Sequence, residues 1–428
     1  MNDKSLYCVF SKIFLNKKNW MNGSKFMRRV GLLVFIIFFA FSTLMFNVVV
    51  SNSSDSWQMF RYDPENTGVS SSSAPTKGDL LWQASTEGPV YSSPAVYAGM
   101  VFVGSDDFNV YGMDANDGST VWVAQTGDKV RSSPAVASDY LFVGSDDGVF
   151  YCLAFSSGSV IDTYQTGGKI RSSPVVTENG ITIVSTDGFI YHFSLPLSLE
   201  WKASVKGTGT WEYYTPVIVD NTVYMLGDTY IYALDEVTGD MIWEMDLSTP
   251  LLYSSPVVVN NTMYVGADNN RVYCLDILSL NNNWDFITSA PVFSTPAVAS
   301  AKVFVGNDIG DTYILDSQTG SPNAHPPSVG QIRSSPAVAD EVVFVGSYDN
   351  NFYAFNITDG SVIWKYLTGD IIFSSPAVAN KTVFVGSTDW QVYAFKDTET
   401  DWTWLIILII TITTIILALL AYIRSRKK

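Results

Sequence analysis

Three residues ahead of eight evenly spaced prolines stand Tyr91, Arg131, Arg171, Tyr213, Tyr253, Phe293, Arg333 and Phe373. Arginines grip carboxylates or phosphates through paired hydrogen bonds, and aromatic rings stack on planar or cationic groups, so these eight brought together would form a binding site for an anionic or planar ligand. The competing reading packs them between neighbouring elements, with Arg131, Arg171 and Arg333 paired to turn aspartates. Those turns are acidic throughout: Asp106, Asp107, Asp146, Asp147, Asp187, Asp228, Asp268, Asp308, Asp349 and Asp389. Asp favours tight turns by accepting nearby backbone N–H groups, and no loop has the spacing of a calcium site, so no metal is assigned. His192 and His325 are isolated and make neither a zinc site nor an acid–base pair. Cys8, Cys152 and Cys274 are nowhere adjacent, and the last two follow repeated tyrosines in a slot that alanine fills elsewhere, which reads as packing. No nucleophile, base and orienting group fall together, so no catalytic residue is assigned.

The elements that must position these side chains are repeats. The prolines are Pro94, Pro134, Pro174, Pro216, Pro256, Pro296, Pro336 and Pro376, spaced by 40 residues except for one interval of 42. Each follows a Ser-Ser or related pair and precedes a short apolar run, a polar turn, a second run such as Val101-Phe-Val-Gly104, another turn and a third run holding a tyrosine. That tyrosine recurs in all eight copies, from Tyr111 to Tyr393. A fourth run carries Trp82, Trp122, Trp201, Trp243, Trp284 or Trp364, with Asp162 and Ala324 in the same slot of the other two copies. Runs of about five residues rich in Val, Ile, Tyr and Phe between turns are strands, and four per 40 residues make one blade of a β-propeller. The first tryptophan run precedes the first complete triplet of runs, and the last triplet has no fourth. The expected fold is therefore all-β: an eight-bladed propeller of four-stranded antiparallel blades over residues 80–397, closed by the N-terminal strand around Trp82. Antiparallel order sets the eight positions before the prolines around one mouth of the central channel, on the face of the turns between second and third strands.

Two uncharged runs flank this domain, at 30–50 and 402–423, each long enough to cross a bilayer as a helix. Basic residues border the outer side of each, in segments 1–29 and 424–428, which places both termini in the cytoplasm and the propeller on the extracytoplasmic side. The first run reads as a retained anchor or a cleaved signal. Residues 51–79 form a lead-in and tether, and the mouth is expected to face away from the membrane. Asn52, Asn260, Asn356 and Asn380 lie in glycosylation sequons. Residues 51–401 hold 14 basic and 40 acidic side chains, net −26, which excludes nucleic acid as a natural partner.

Segments such as Tyr232-Ala-Leu-Asp-Glu-Val-Thr-Gly-Asp-Met-Ile-Trp243 and Tyr353-Ala-Phe-Asn-Ile-Thr-Asp-Gly-Ser-Val-Ile-Trp364, with the lead-in Trp57-Gln-Met-Phe-Arg-Tyr-Asp63, resemble the pyrroloquinoline-quinone-type (PQQ-like) propeller repeat family. The resemblance covers about 340 residues and implies the fold but not the cofactor. Some members of that family are quinone-dependent dehydrogenases with a vicinal cysteine pair and a calcium ion; others, similar to the outer-membrane assembly lipoprotein, bind proteins without a cofactor. Lacking adjacent cysteines, this chain is expected to bear no cofactor and to act as a binding or assembly scaffold for a protein, peptide or glycan. The alternatives are a quinone-dependent oxidoreductase with unconventional ligands and an envelope sensor signalling through residues 1–28.

Overall fold

The computed structural model describes residues 56–205, 214–251, 254–327 and 329–398, with 411–413 and 416. The runs at 30–50 and 402–423, apart from those four positions, lie outside the described residues, as do Tyr213 and Tyr253. Among the described residues no helix is long and apolar enough to cross a membrane.

Each repeat folds as one antiparallel sheet. Blade 1 consists of Ala95–Tyr97, Met100–Gly104, Asn109–Asp114 and Thr120–Gln125, and blades 2 to 7 repeat the order. The second and third strands are sandwiched between neighbouring blades, which is why they read as continuous apolar runs, whereas the outer strand Thr120–Gln125 alternates between exposed and buried residues. Blade 8 closes as expected: Leu80–Ser85 pairs antiparallel with Gln391–Lys396, setting Trp82 opposite Ala394. Each outer-strand tryptophan reaches the following blade. Trp82 Nε1 donates to the Ala115 carbonyl and its ring lies where a Cβ at Gly118 would stand, and Trp364 does the same to Pro75 and Gly78 at the closure. Where the slot lacks tryptophan the receiving turn changes too. Beyond Asp162 it carries buried Leu197, and Gly360 meets the Pro326 ring two residues past Ala324.

One expectation is corrected. Blade 7 has five strands, because Val69–Ser70 adds in parallel to its inner strand Ala337–Ala339. The physical reason is that inner strands are sheet edges whose backbone groups face the channel and need partners. The lead-in is therefore no tether from residue 57 onward; it is a plug across the channel floor. Trp57 exchanges backbone bonds with Val96, and the carbonyls of Gln58, Pro64, Glu65 and Gly68 accept the N–H groups of Val136, Ile218, Val258 and Val338. Arg61, fully buried, donates to the carbonyls of Pro296 (2.6 Å), Pro336 (2.9 Å) and Asn66 (2.9 Å). Asn66 Nδ2 reaches the carbonyls of Pro216 and Pro256. Burial pulls the Arg61 guanidinium down to about 9, and pushes the neighbouring Asp63, which accepts from Thr67, up to about 6.

Above the plug, the residue before each proline closes a second ring. Ser93 N donates to Ser133 Oγ (2.9 Å), Ser133 N to Ser173 Oγ (3.2 Å), Ser173 N to Thr215 Oγ1 (3.2 Å) and Thr215 N to Ser255 Oγ (3.0 Å). Ser255 N then donates to Thr295 Oγ1 (3.1 Å), Thr295 N to Ser335 Oγ (3.1 Å), Ser335 N to Ser375 Oγ (2.9 Å), and Ser375 N returns to Ser93 Oγ (2.9 Å). The preceding serine serves its own blade at Ser92, whose Oγ both donates to the Gly104 carbonyl and accepts the Gly104 N–H, while Ser132 and Ser334 donate onward to the carbonyls of Ser172 and Ser374 in the next blade.

Removing one ring hydroxyl orphans a buried N–H, so Ser133→Ala is expected to lower unfolding stability by about 1–3 kcal/mol in urea titrations, whereas an exposed serine such as Ser157 changes little on the same substitution. Asp63 has its folded-state value raised above the unfolded one, so its contribution is fully present at low pH and is lost as pH climbs from about 4 through about 6. The stability difference between parent and Asp63→Asn, followed from pH 3.5 to 7, should shift against the parent across that window.

Candidate functional site

The inner strands run from the mouth toward the plug, so the residues three before each proline crown the channel. Tyr91, Arg131, Arg171, Phe293, Arg333 and Phe373 line one narrow space of ≈ 60 Å³ with the hydroxyl ring beneath them and Phe60 of the plug at its floor. Six of the eight sequence-predicted residues therefore converge; Tyr213 and Tyr253 lie outside the described residues.

The arginines are held from below by the turn aspartates of the preceding blade. Arg131 donates through Nε and Nη2 to the two carboxylate oxygens of Asp106 at 2.8 and 2.7 Å, Arg171 does so to Asp146 at the same distances, and Arg333 to Asp308 at 2.8 and 3.3 Å. The arginines thus pair with turn aspartates and also line the mouth. Sequence reasoning missed Lys129 and Lys169, which join Asp106 and Asp146 at 3.2 and 3.1 Å. The signal was a Lys-x-Arg spacing repeated at the 40-residue period. Burial opposes charge on Asp146, but the Arg171 and Lys169 bonds outweigh it and hold the carboxyl below its ordinary value. Two cations per carboxylate leave a positive arc over blades 2 and 3 within a strongly acidic domain.

Over blades 8 and 1 the mouth is aromatic. Tyr91 and Phe373 meet edge to face at 5.6 Å, and the Arg131 guanidinium lies 4.5 Å from the Tyr91 ring centre; beside them, over blades 6 and 7, Arg333 lies 5.1 Å from Phe293 and 5.6 Å from Tyr348. Each arginine is fixed on its carboxylate, and two of them also on ring faces, so the mouth is preorganised rather than floppy.

The second aspartate of each turn is structural. Asp147 Oδ2 accepts from the Tyr151 hydroxyl (2.7 Å) and the Gly127 N–H (2.7 Å), an arrangement repeated by Asp107, Asp187, Asp349 and Asp389 with Tyr111, Tyr191, Tyr353 and Tyr393. Burial, with the adjacent carboxylate, pushes the Tyr151 phenol up to about 12. Among the described residues no three His, Cys, Asp or Glu side chains converge to hold a metal ion. His192 stacks on Trp201 at 5.2 Å with its Nδ1 against the Thr182 hydroxyl, and burial lowers its value. His325 meets Tyr313 edge on. His192 is a buried packing residue, and His325 is an exposed loop residue.

A family model described as outer membrane protein assembly factor BamB matches residues 65–134, 110–196, 198–325 and 323–405. No curated protein matches the sequence. Among solved structures, BamB from Moraxella catarrhalis superposes with a TM-score of 0.64 at 17% identity, covering 75% of this chain and 98% of that one. The computationally designed Ika8 protein gives 0.67 at 16%, covering 75% and 100%. The quinohemoprotein alcohol dehydrogenase from Comamonas testosteroni gives 0.68 at 13%, covering 81% of each chain. At these identities the structural likenesses speak to the fold alone.

The residues present do not fit a quinone. Sites that bury a molecule of that size occupy roughly 300–1,000 Å³, well above the ≈ 60 Å³ at the mouth. Cys152 and Cys274 lie three blades apart inside the blades rather than at the channel, where burial pushes their thiols up to about 12 and about 11. Native protein treated with iodoacetamide at pH 8 should therefore leave both thiols unmodified by peptide mass mapping, and unfolding in urea should expose both to complete alkylation.

Proposed function

The chain belongs to the family of repeat propellers described as outer membrane protein assembly factor BamB, and from that premise we propose that it is a non-catalytic scaffold of the cell envelope that captures a protein, peptide or glycan at its channel mouth. The observation that carries this reading is the mouth itself: arginines clamped on carboxylates, beside edge-to-face aromatics, over a channel sealed from below by a plug. A rigid, partly desolvated set of donors and rings is suited to binding, and it presents no nucleophile with a base and an orienting group beside it. The positive arc of Lys129, Arg131, Lys169 and Arg171 favours an anionic group on the partner.

The same reading holds the propeller outside the cytoplasm through the apolar runs at 30–50 and 402–423. Asp397 bonds the backbone of Thr76 and Lys77 beside the closure, at the plug face. A tether there turns the mouth away from the bilayer.

Replacing Arg131, Arg171 and Arg333 together by glutamine should reduce at least tenfold the recovery of the partner crosslinked to the propeller on intact cells, with thermal unfolding still cooperative. Undiminished recovery from a folded triple variant contradicts the mouth as the site. Protease added to intact cells should cleave within 51–401; cleavage only after lysis contradicts the external placement.

A further inference from the structure

In seven of the eight blades the turn between second and third strands has one backbone shape, and its third residue takes a positive φ; blade 4 has a shorter turn with Asp228 at φ 52°. In blades 2, 3 and 6 that residue is Gly148, Gly188 or Gly310, and in blades 5 and 7 it is Asn270 or Asn350, the residue types that enter this region most readily. In blades 1 and 8 it is Phe108 and Trp390, at φ 73° and 71°. A bulky aromatic is a poor choice there, and the fold does not ask for it. Thr126 N donates to the Phe108 carbonyl (2.8 Å) and Thr86 N to the Trp390 carbonyl (2.9 Å), in the same clamp by which Thr288 holds Asn270 and Thr368 holds Asn350. Nor does packing ask for it, because Phe108 is 39% and Trp390 51% exposed. Strained backbone carrying exposed rings marks a place where the side chain serves something outside the fold.

Blades 8 and 1 are consecutive, and the linker Thr86–Glu87 joins the two turns: Thr86 bonds the Trp390 carbonyl and Glu87 N bonds Asp107 Oδ2 (2.8 Å). Asp107 and Asp389 immediately precede the two rings, and Glu87 is exposed between them. Asp107 and Asp389 accept from Tyr111, Tyr393 and nearby backbone N–H groups, none of which carries a charge, and no ion pair among the described residues engages these two or Glu87, in contrast with Asp106 and Asp146 nearer the channel. Two ring faces bordered by three carboxylates without a cation are complementary to a positive charge. We propose that Phe108 and Trp390, with Glu87, Asp107 and Asp389, form a rim site that docks a basic segment of a protein partner by receiving an Arg or Lys side chain between ring and carboxylate. This site lies outside the arginine-lined mouth and stands independently of the function proposed for it.

The test uses the full chain in detergent and fluorescein-labelled hexaarginine, with hexaglutamate and the neutral sugar maltohexaose as comparison probes, read by anisotropy and calorimetry. The Phe108→Asn, Trp390→Asn variant carries residues already used at this place in blades 5 and 7, so it should keep the parent unfolding temperature and, with charge unchanged, bind hexaarginine about tenfold or more weakly. Glu87→Gln should weaken binding and flatten its salt dependence. The inference is overturned if the parent fails to bind hexaarginine, if the double variant binds it as the parent does, or if hexaglutamate or maltohexaose binding is what the double variant loses.

Discussion

A ring of eight backbone-to-hydroxyl hydrogen bonds, one at each blade junction, is the constraint on which this structure depends. Inner strands of a propeller are edges, and an edge buried around a channel must find partners for its N–H and C=O groups or lose stability at every blade. The chain solves this at two levels. The Ser or Thr before each proline donates its N–H to the hydroxyl of the following blade until the circuit returns from Ser375 to Ser93. Below it, the lead-in gives carbonyls to the strand N–H groups of blades 2, 4, 5 and 7, exchanges two bonds with Val96 of blade 1, and spends Arg61 and Asn66 on the proline carbonyls of blades 4 to 7. Proline suits this position because it has no N–H to leave unpaired, and its free carbonyl is what the plug needs.

That double closure is what makes the mouth a usable surface. Tyr91, Arg131 and their counterparts stand two residues ahead of the hydroxyl ring on backbone that the ring fixes, and each arginine is anchored on the blade before its own. The mouth offers clamped cations and rings over a channel floored by the plug. The positive arc over blades 2 and 3 and the acidic, aromatic rim over blades 8 and 1 then divide one face into two chemistries.

Much of this was written in the residues. Proline spacing gave the number of blades, the displaced Trp82 run gave the closure, and the residue three before proline gave the mouth, because these depend on side-chain type at a fixed period. What stayed hidden depends on the backbone. The plug works mainly through carbonyls, which every residue has, so the lead-in and tether over residues 51–79 gave no sign of crossing the channel. The ring hydroxyls were visible only as the marker before proline, since a serine does not announce whether it bonds its own blade or the next. Pro326 standing in for a tryptophan, and Phe108 and Trp390 in left-handed backbone, become apparent only when neighbours and dihedral angles are known. Lys129 and Lys169 were legible and were overlooked, because the reading stopped at the position with the strongest pattern.

The claim that the eight junctions form one closed unit has a direct test in native-state hydrogen exchange. The amides of Ser93, Ser133, Ser173, Thr215, Ser255, Thr295, Ser335 and Ser375 should exchange with a single free energy equal to that of global unfolding, since opening one junction breaks the circuit for all. Exchange proceeding blade by blade, with some of these amides opening well below the global value, would contradict it.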